Sequence, residues 1–250
     1  MSVVSHVLAP NPGPMTLDGT NTWVLRAGDG ARSVVVDPGP PDPRHLDAVR
    51  AAAGDVAVVL LTHRHHDHSE GAPDFAASVG CDVRAVDPDH RVGAQGLDDG
   101  EVIAVDGLEL SVVATPGHTS DSVSFLLLDD RHLLTGDTVL GRGTSVVAHP
   151  DGQLGPYLAS LRRLRDLAVR GAATVLLPGH GPVRDDAVGV LEAYLAHRWE
   201  RLEQVRSAVA AGASTAPEVV EAVYADVDRS VWPAAERSVA AQLDYLRAGG

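Results

Sequence analysis

Thr62–Ser69 reads T-H-R-H-H-D-H-S, and it follows Val56–Leu61, V-A-V-V-L-L. The apolar run has the length and β-branched content of a buried strand. The octapeptide sets His63, His65, His66, Asp67 and His68 within six residues. A strand that ends in imidazole and carboxylate presents metal ligands from a rigid base. Neutral imidazole with carboxylate suits zinc, manganese or ferrous iron. An affinity tag would be uniform and terminal, whereas this cluster is mixed and internal.

Three later segments repeat the arrangement of an apolar strand running into a tight, metal-capable loop. Leu110–Ala114 leads into T-P-G-H-T at 115–119, Leu133–Thr135 into G-D-T at 136–138, and Val175–Leu177 into P-G-H-G-P at 178–182. Glycine or proline beside each polar residue permits the sharp backbone. Singly, a histidine or aspartate in such a turn is most simply a turn or cap residue. Four such strand ends in one chain instead point to a shared site, provided that the strands are neighbours.

Composition narrows the class. The 250 residues, 44% hydrophobic and 22% charged, suit one soluble domain or a domain with a small appendage. No apolar run approaches the ~18 residues of a membrane span. The N-terminus lacks a basic start and a long apolar stretch, and Cys81 alone precludes an internal disulfide, so a cytoplasmic protein is expected. All 20 basic residues are arginine. Residues 61–150 carry 15 acids against 5 arginines, so dications there would offset part of a local excess of negative charge. The net charge of −14 argues against broad, non-specific duplex binding but leaves room for a local basic groove.

Strand-like runs crowd the first half. They are Val3–Ala9, Asn21–Ala27, Ser33–Asp37, Val56–Leu61, Asp82–Val86, Leu108–Ala114, Ser122–Leu128, His132–Thr135 and Thr174–Leu177. Gly100–Glu109 reads as two short strands turned at Asp106-Gly107. Helical patterns cover Arg44–Ala53, Ala72–Val79, Leu154–Arg170 and Asp186–Ala211. Sheets packed together with helices outside, an α/β layered arrangement, follow. After Ala211 the texture becomes helical. Thr215 and Glu218 form a capping box with Pro217 in the first turn, and a further helix is expected from Trp232-Pro233 to Leu246. The expected organisation is a catalytic domain over 1–190 and a small helical domain over 191–250, with Trp199 and Trp232 packing the small domain against the larger one. His6, His45, His90, His132 and His197 read as surface or hydrogen-bonded histidines.

The ordered set H-x-H-x-D-H, TPGHT, GDT and PGHG resembles the metallo-β-lactamase superfamily of dinuclear hydrolases over most of residues 1–185. The resemblance implies a four-layer αβ/βα sandwich with the site at one edge. It makes His63, His65 and His118 ligands of one ion, and Asp67, His68 and His180 ligands of a second. Asp137 bridges the two, and His66 is a neighbour only. Two Zn²⁺ are the implied cofactors, with Mn²⁺ or Fe²⁺ as alternatives, and a metal-bridging hydroxide is the implied nucleophile. Asp67 is the expected catalytic residue, since a ligand carboxylate can also orient the attacking water.

Within the superfamily, N-P-G-P-M-T-L-D-G-T-N-T at 11–22 and G-D-T-V-L-G-R-G-T at 136–144 resemble the β-lactamase-like proteins whose animal members are endoribonucleases. His197-Arg198 with Arg201 and Gln204 resembles the start of that group's C-terminal winged-helix-like segment. The resemblance implies Thr20, Asn21 and Thr144 as substrate-binding residues and single-stranded RNA as substrate. Arg142, Arg162, Arg163, Arg165, Arg198 and Arg201 are the available phosphate contacts, although the helical ones read equally as a solvated face. Residues 211–250, with 3 arginines against 6 acids, depart from a basic nucleic-acid module. A glyoxalase II-like thioesterase shares all seven ligands and makes a small-molecule ester or thioester the alternative substrate, with Tyr157, Tyr194 and Tyr224 as candidate contacts. A mono-iron persulfide dioxygenase ranks lower. No membrane partner is expected, and a homodimer is compatible with the apolar residues of the appendage.

Overall fold

A computed structural model describes residues 2–250 apart from Ala94 and Val227. The first sheet holds β1 (Val3–Leu8), β2 (Asn21–Arg26), β3 (Ser33–Val36), β4 (Val56–Leu60) and β5 (Asp82–Arg84), side by side in chain order. β1, β2 and β3 pair antiparallel, whereas β3, β4 and β5 run parallel. Parallel neighbours need a crossover. These are α1 (Pro43–Ala53) between β3 and β4, and α2 (His66–Ser69) with α3 (Ala72–Val79) between β4 and β5. Asp42 starts α1 by accepting the backbone N–H groups of Arg44 and His45.

The second sheet is built from β6 (Val102–Val105), β7 (Leu108–Ala114), β8 (Val123–Leu127), β9 (His132–Gly136) and β10 (Val175–Pro178), in the order β10-β9-β8-β7-β6. The β6–β7 hairpin turns at Asp106-Gly107, where both residues have positive φ, 46° and 92°. This left-handed pair matches the twist of the strands. Only β9 and β10 are parallel in this sheet, joined through α4 (Leu154–Val169).

Alternation along the strands decides the layering. Val34, Val36, Val58 and Leu60 of the first sheet meet Phe125, Leu127, Leu134 and Leu177 of the second in one core between the sheets. The intervening Val35 and Val59 face outward onto Val49 of α1 and Phe75 of α3. Leu126, Leu133 and Leu176 likewise face outward onto Tyr157, Leu158 and Leu161 of α4 and Leu191 of α5 (Ala187–Ala210). The result is the expected four layers of helix, sheet, sheet and helix.

The C-terminal part adds α6 (Ala216–Val223) and α7 (Trp232–Arg247). The capping box at Thr215 and Glu218 is present at the start of α6. Val219, Val220, Val239 and Leu243 pack on Val205 of α5 in a core of their own. Helix α5 serves both bodies, since its Leu191, Leu195 and Leu202 belong to the catalytic core. The 190/191 division therefore falls inside one continuous helix. Trp199 lies 40% exposed on α5 with the guanidinium of Arg162, from α4 of the body, over its ring, a contact at the surface. Trp232 packs against the C-terminal core. No helix among the described residues is long and apolar enough to cross a membrane.

Candidate metal centre

The four sequence signals meet at one edge of the sandwich. β4 ends at Leu60 and delivers His63 and His65, and the single turn of α2 carries Asp67 and His68. His118 follows β7, Asp137 follows β9, and His180 follows β10. One sheet thus supplies the octapeptide and the other supplies the remaining three residues. Ligand-capable atoms of His63, His65, His118 and Asp137 form one group within 4.8 Å of one another, and those of Asp67, His68 and His180 form a second. Asp137 also touches the second group, with Oδ1 3.4 Å from His68 Nε2 and Oδ2 3.3 Å from His180 Nε2. Its Oδ2 lies 3.7 Å from His118 Nε2 on the other side. His66 is exposed and belongs to neither group.

Outer partners fix which ring nitrogens face inward. His118 Nδ1 lies 2.8 Å from the Val146 carbonyl, and His180 Nδ1 lies 3.0 Å from the Gly19 carbonyl. A carbonyl only accepts, so each Nδ1 carries a proton and each ring turns its Nε2 inward. His68 Nδ1 lies 2.8 Å from Asp37 Oδ2. Thr62 gives its hydroxyl proton to the same carboxylate at 2.6 Å, so its oxygen accepts from His63 Nδ1 at 3.0 Å.

In the first group these orientations leave lone pairs facing one another. His63 Nε2 and His118 Nε2 lie 3.0 and 3.1 Å from His65 Nδ1, where at most one proton can stand. In the second, His68 Nε2 and His180 Nε2 lie 3.3 Å apart, each also close to the carboxylates of Asp67 and Asp137. Asp137 Oδ1 is buried without a hydrogen-bond partner. Imidazole lone pairs and carboxylate oxygens converging in this way fit divalent cations, which would replace repulsion by coordination.

The electrostatics divide along the same line. Burial, with neighbouring imidazoles, pushes His63 well below the ordinary histidine range and His65 down to about 4. Burial likewise lowers His118, against the pull of Asp137. In the second group burial also disfavours charge on His68 and His180, but carboxylates overcome it. Asp67, Asp137 and Asp37 hold His68 well above its usual range, and Asp137 with Asp67 raises His180 to about 9. Burial would raise Asp67 and Asp137, yet the facing His68 and His180 hold both carboxyls well below the usual range.

Close packing leaves no room for extra atoms. A Cβ on Gly179 would stand 2.6 Å from Asp137 Oδ1 and 2.7 Å from His68 Cε1. Gly136, with φ 48°, sits where a Cβ would be 2.6 Å from Thr62 Oγ1. The Gly136 and Gly179 loops pass this close because β9 and β10 are parallel neighbours, tied by the Gly179 N–H to Gly136 carbonyl bond of 2.9 Å.

Thr20 and Asn21 are buried rather than open to a cleft. The Thr20 hydroxyl donates to Asp67 Oδ2 at 2.8 Å, and the Asn21 amide donates to the Pro178 and Gly181 carbonyls at 3.0 and 2.9 Å. Their side chains hold a candidate ligand and the His180 loop. Thr144 does line a cleft of about 200 Å³, with Met15, Leu17, His118, Asp137 and Arg142. Arg142 is paired with Asp18 across its mouth. His149 instead faces α7, 3.3 Å from Asp244. Among the tyrosines, Tyr157 donates to the Thr138 carbonyl at 2.7 Å, and the Tyr194 hydroxyl accepts the Leu140 N–H at 2.8 Å.

One contributor escaped the sequence reading. Asp37, 1% exposed at the end of β3, binds the Thr62 N–H at 2.8 Å besides Thr62 Oγ1 and His68. The only signal was an aspartate in the D-P-G turn at 37–39 directly after a strand. Arg198, a candidate phosphate contact in the sequence, also supports the site from behind. It is 9% exposed, stacks over Tyr157 at 4.9 Å and donates to the Ser145 carbonyl. Ser145 and Val146 are the residues that contact His118 Nδ1.

Known proteins resemble the chain in the same two parts. The metallo-beta-lactamase superfamily matches residues 15–180, and the beta-lactamase associated winged helix domain matches residues 215–250. A Caenorhabditis elegans protein called beta-lactamase-like protein 2 homolog is 35% identical over 97% of this chain and 83% of its own length. A metallo-beta-lactamase family protein from Thermus thermophilus shares the fold with a TM-score of 0.81 at 24% identity, over 99% of this chain and 94% of that one. A beta-lactamase domain protein from Burkholderia ambifaria does so with a TM-score of 0.82 at 22% identity, over 99% and 86%. The chain therefore belongs to the metallo-beta-lactamase superfamily of metal-dependent hydrolases and carries that family's C-terminal winged-helix domain.

Proposed function

We propose that the chain is a dinuclear zinc hydrolase that cleaves phosphodiester bonds of single-stranded RNA. The catalytic body is residues 1–190, and 191–250 form the appended domain. The observation that carries the two-metal reading is Asp137, which touches both complete ligand groups at once. His63, His65 and His118 would hold one ion, Asp67, His68 and His180 the other, and Asp137 would join them. When bound, two dications lower the pKa of a shared water from 15.7 to about 7 and polarise the scissile bond.

The chain's own residues do the rest. The Thr20 hydroxyl pins Asp67 Oδ2, to which His180 Nε2 also lies close at 3.2 Å. Oδ1 takes part in neither contact and is the oxygen that orients the attacking water. Its low proton affinity keeps it an acceptor at neutral pH. His65 is exposed and Asp67 half-buried, so substrate enters from their side. RNA is favoured over a glutathione thioester because Tyr157 and Tyr194 are buried and committed to backbone partners. The intact second group also speaks against a mono-iron oxygenase.

The test is a side-by-side assay of zinc-loaded protein on single-stranded RNA and on S-lactoylglutathione, with metal content measured on the same sample. Two zinc per chain and RNA cleavage lost in Asp67→Ala support the reading. Thioester turnover with RNA left intact reverses the choice of substrate. Asp67→Ala turning over RNA at the wild-type rate with both metals bound removes Asp67 from the mechanism.

A further inference from the structure

The metal cleft continues beyond its own loop. Thr144, Ser145 and Val146 wall it together with His118 and Asp137. The same three residues form the near wall of a second cavity, of 290 Å³, whose other walls come from α5, α7 and Tyr224. A chain leaving the metal centre over Thr144 enters this space.

Its charge is unlike that of the rest of the molecule. His197, Arg198 and Arg201 line it, and no acidic residue does. The protein has a net charge of −14, and several arginines elsewhere are taken up by carboxylates, as in Arg32–Asp106, Arg84–Glu101 and Arg163–Asp99. Arg198 and Arg201 have no ion pair among the described residues. Arg198 is 9% exposed, and its Nε is buried with no hydrogen-bond partner. Gln242 of α7, 6% exposed, also lines the cavity. Arg201 rests on the Tyr224 ring at 4.4 Å, which holds its guanidinium at the cavity wall. A water satisfies a lone donor, but only an anion also neutralises two guanidinium charges.

We propose that this cavity is an anion subsite that receives a phosphodiester of the substrate strand, displaced along the chain from the bond being cleaved. Arg198 and Arg201 supply the charge. The inference rests on the RNA reading above. It also gives the acidic C-terminal domain a role in RNA binding that does not require a basic outer face: α7 closes one wall of a basic pocket.

Arg198 also braces the Ser145 carbonyl, so Arg201 is the residue to change. Full-length protein, zinc-loaded and EDTA-treated, is titrated with labelled octauridylate and separately with tripolyphosphate, across a range of salt concentrations. Arg201→Gln is expected to weaken octauridylate binding about tenfold and to flatten the salt dependence by about 0.7 in log–log slope, one phosphate contact on a single strand. Arg201→Lys keeps the slope. Arg32→Gln, at an arginine paired with Asp106 outside the cavity, changes neither. Equal weakening in Arg32→Gln and Arg201→Gln, or an unchanged slope in Arg201→Gln, overturns the subsite. RNA cleavage together with an indifferent Arg201→Gln sinks the subsite alone. Tripolyphosphate binding that depends on Arg201 in a protein that never cleaves RNA sinks the substrate reading and leaves the subsite standing.

Discussion

Asp37→Asn is the sharpest probe of how the second ligand group is held. The substitution is nearly isosteric, and asparagine tolerates the positive φ of 53° at this position as aspartate does. It leaves packing in place and changes only charge and donor pattern. In the folded protein the carboxylate accepts three hydrogens, from Thr62 N–H, the Thr62 hydroxyl and His68 Nδ1. An amide has one acceptor oxygen. If its NH₂ occupies the Oδ2 position it faces the Thr62 hydroxyl and the His68 N–H, and two bonds fail; in the opposite orientation one fails. Hydrogen bonds to a charged group contribute about 1.5–3 kcal/mol each, so the expected loss of stability lies between about 1.5 and 6 kcal/mol. His68 presents Nε2 as a ligand only while its Nδ1 proton is held. Loss of such an outer partner typically costs about 10–100-fold in metal affinity. The larger effect belongs to the His68 ion, because His63 reaches Asp37 only through Thr62. Competition with a chromogenic chelator measures both affinities, and urea denaturation measures stability. Two ions bound at wild-type affinity in a protein of wild-type stability would refute the argument.

Three further outcomes follow from the geometry. Gly179→Ala places a methyl 2.6 Å from Asp137 Oδ1; the displaced carboxylate should cost at least about a hundredfold in activity, the scale of a ~1 Å misplacement, with metal content falling in parallel. Leu134→Ala, deep between the two sheets, should lower stability by about 2–5 kcal/mol by calorimetry while leaving metal stoichiometry at the wild-type value. Glu218, held down to about 2 by hydrogen bonds from Ser214 and Thr215, stabilises the start of α6 only while ionised. Its contribution is complete above the unfolded value of 4.5 and disappears as pH falls toward 2. Thermal melts of wild type and Glu218→Gln should therefore differ most near neutrality and converge in acid; a gap that widens in acid contradicts this.

The candidate ligand set was legible because its members follow apolar strands, four in one histidine-rich run and three beside glycine, a local pattern. What escaped was non-local. Asp37 lies 25 residues from Thr62 and 31 from His68, and only the parallel pairing of β3 with β4 brings them together. On its own, an aspartate before Pro-Gly reads as a turn. Thr20 and Asn21 read as cleft residues because the loop resembles one; the isolated pairing of Thr20 with His180 turns them inward. Arg198 read equally as a phosphate contact and as a solvated helical arginine, since periodicity cannot show that the 144–147 loop lies over that face of α5. The single turn of α2 is too short for any periodic signal.

The placement of the ligands on two sheets has a consequence for the fate of the protein. Four come from the segment after β4, and three from the ends of β7, β9 and β10. Ions held between them would fasten the halves of the sandwich at the edge where these candidate ligands converge. Each ion present at a hundredfold excess over its dissociation constant adds about 2.7 kcal/mol to the folded state. Metal scarcity would then lower not only the rate per molecule but the number of molecules, as the empty form opens and is cleared by proteases. Cellular abundance of this chain would track the supply of its metal.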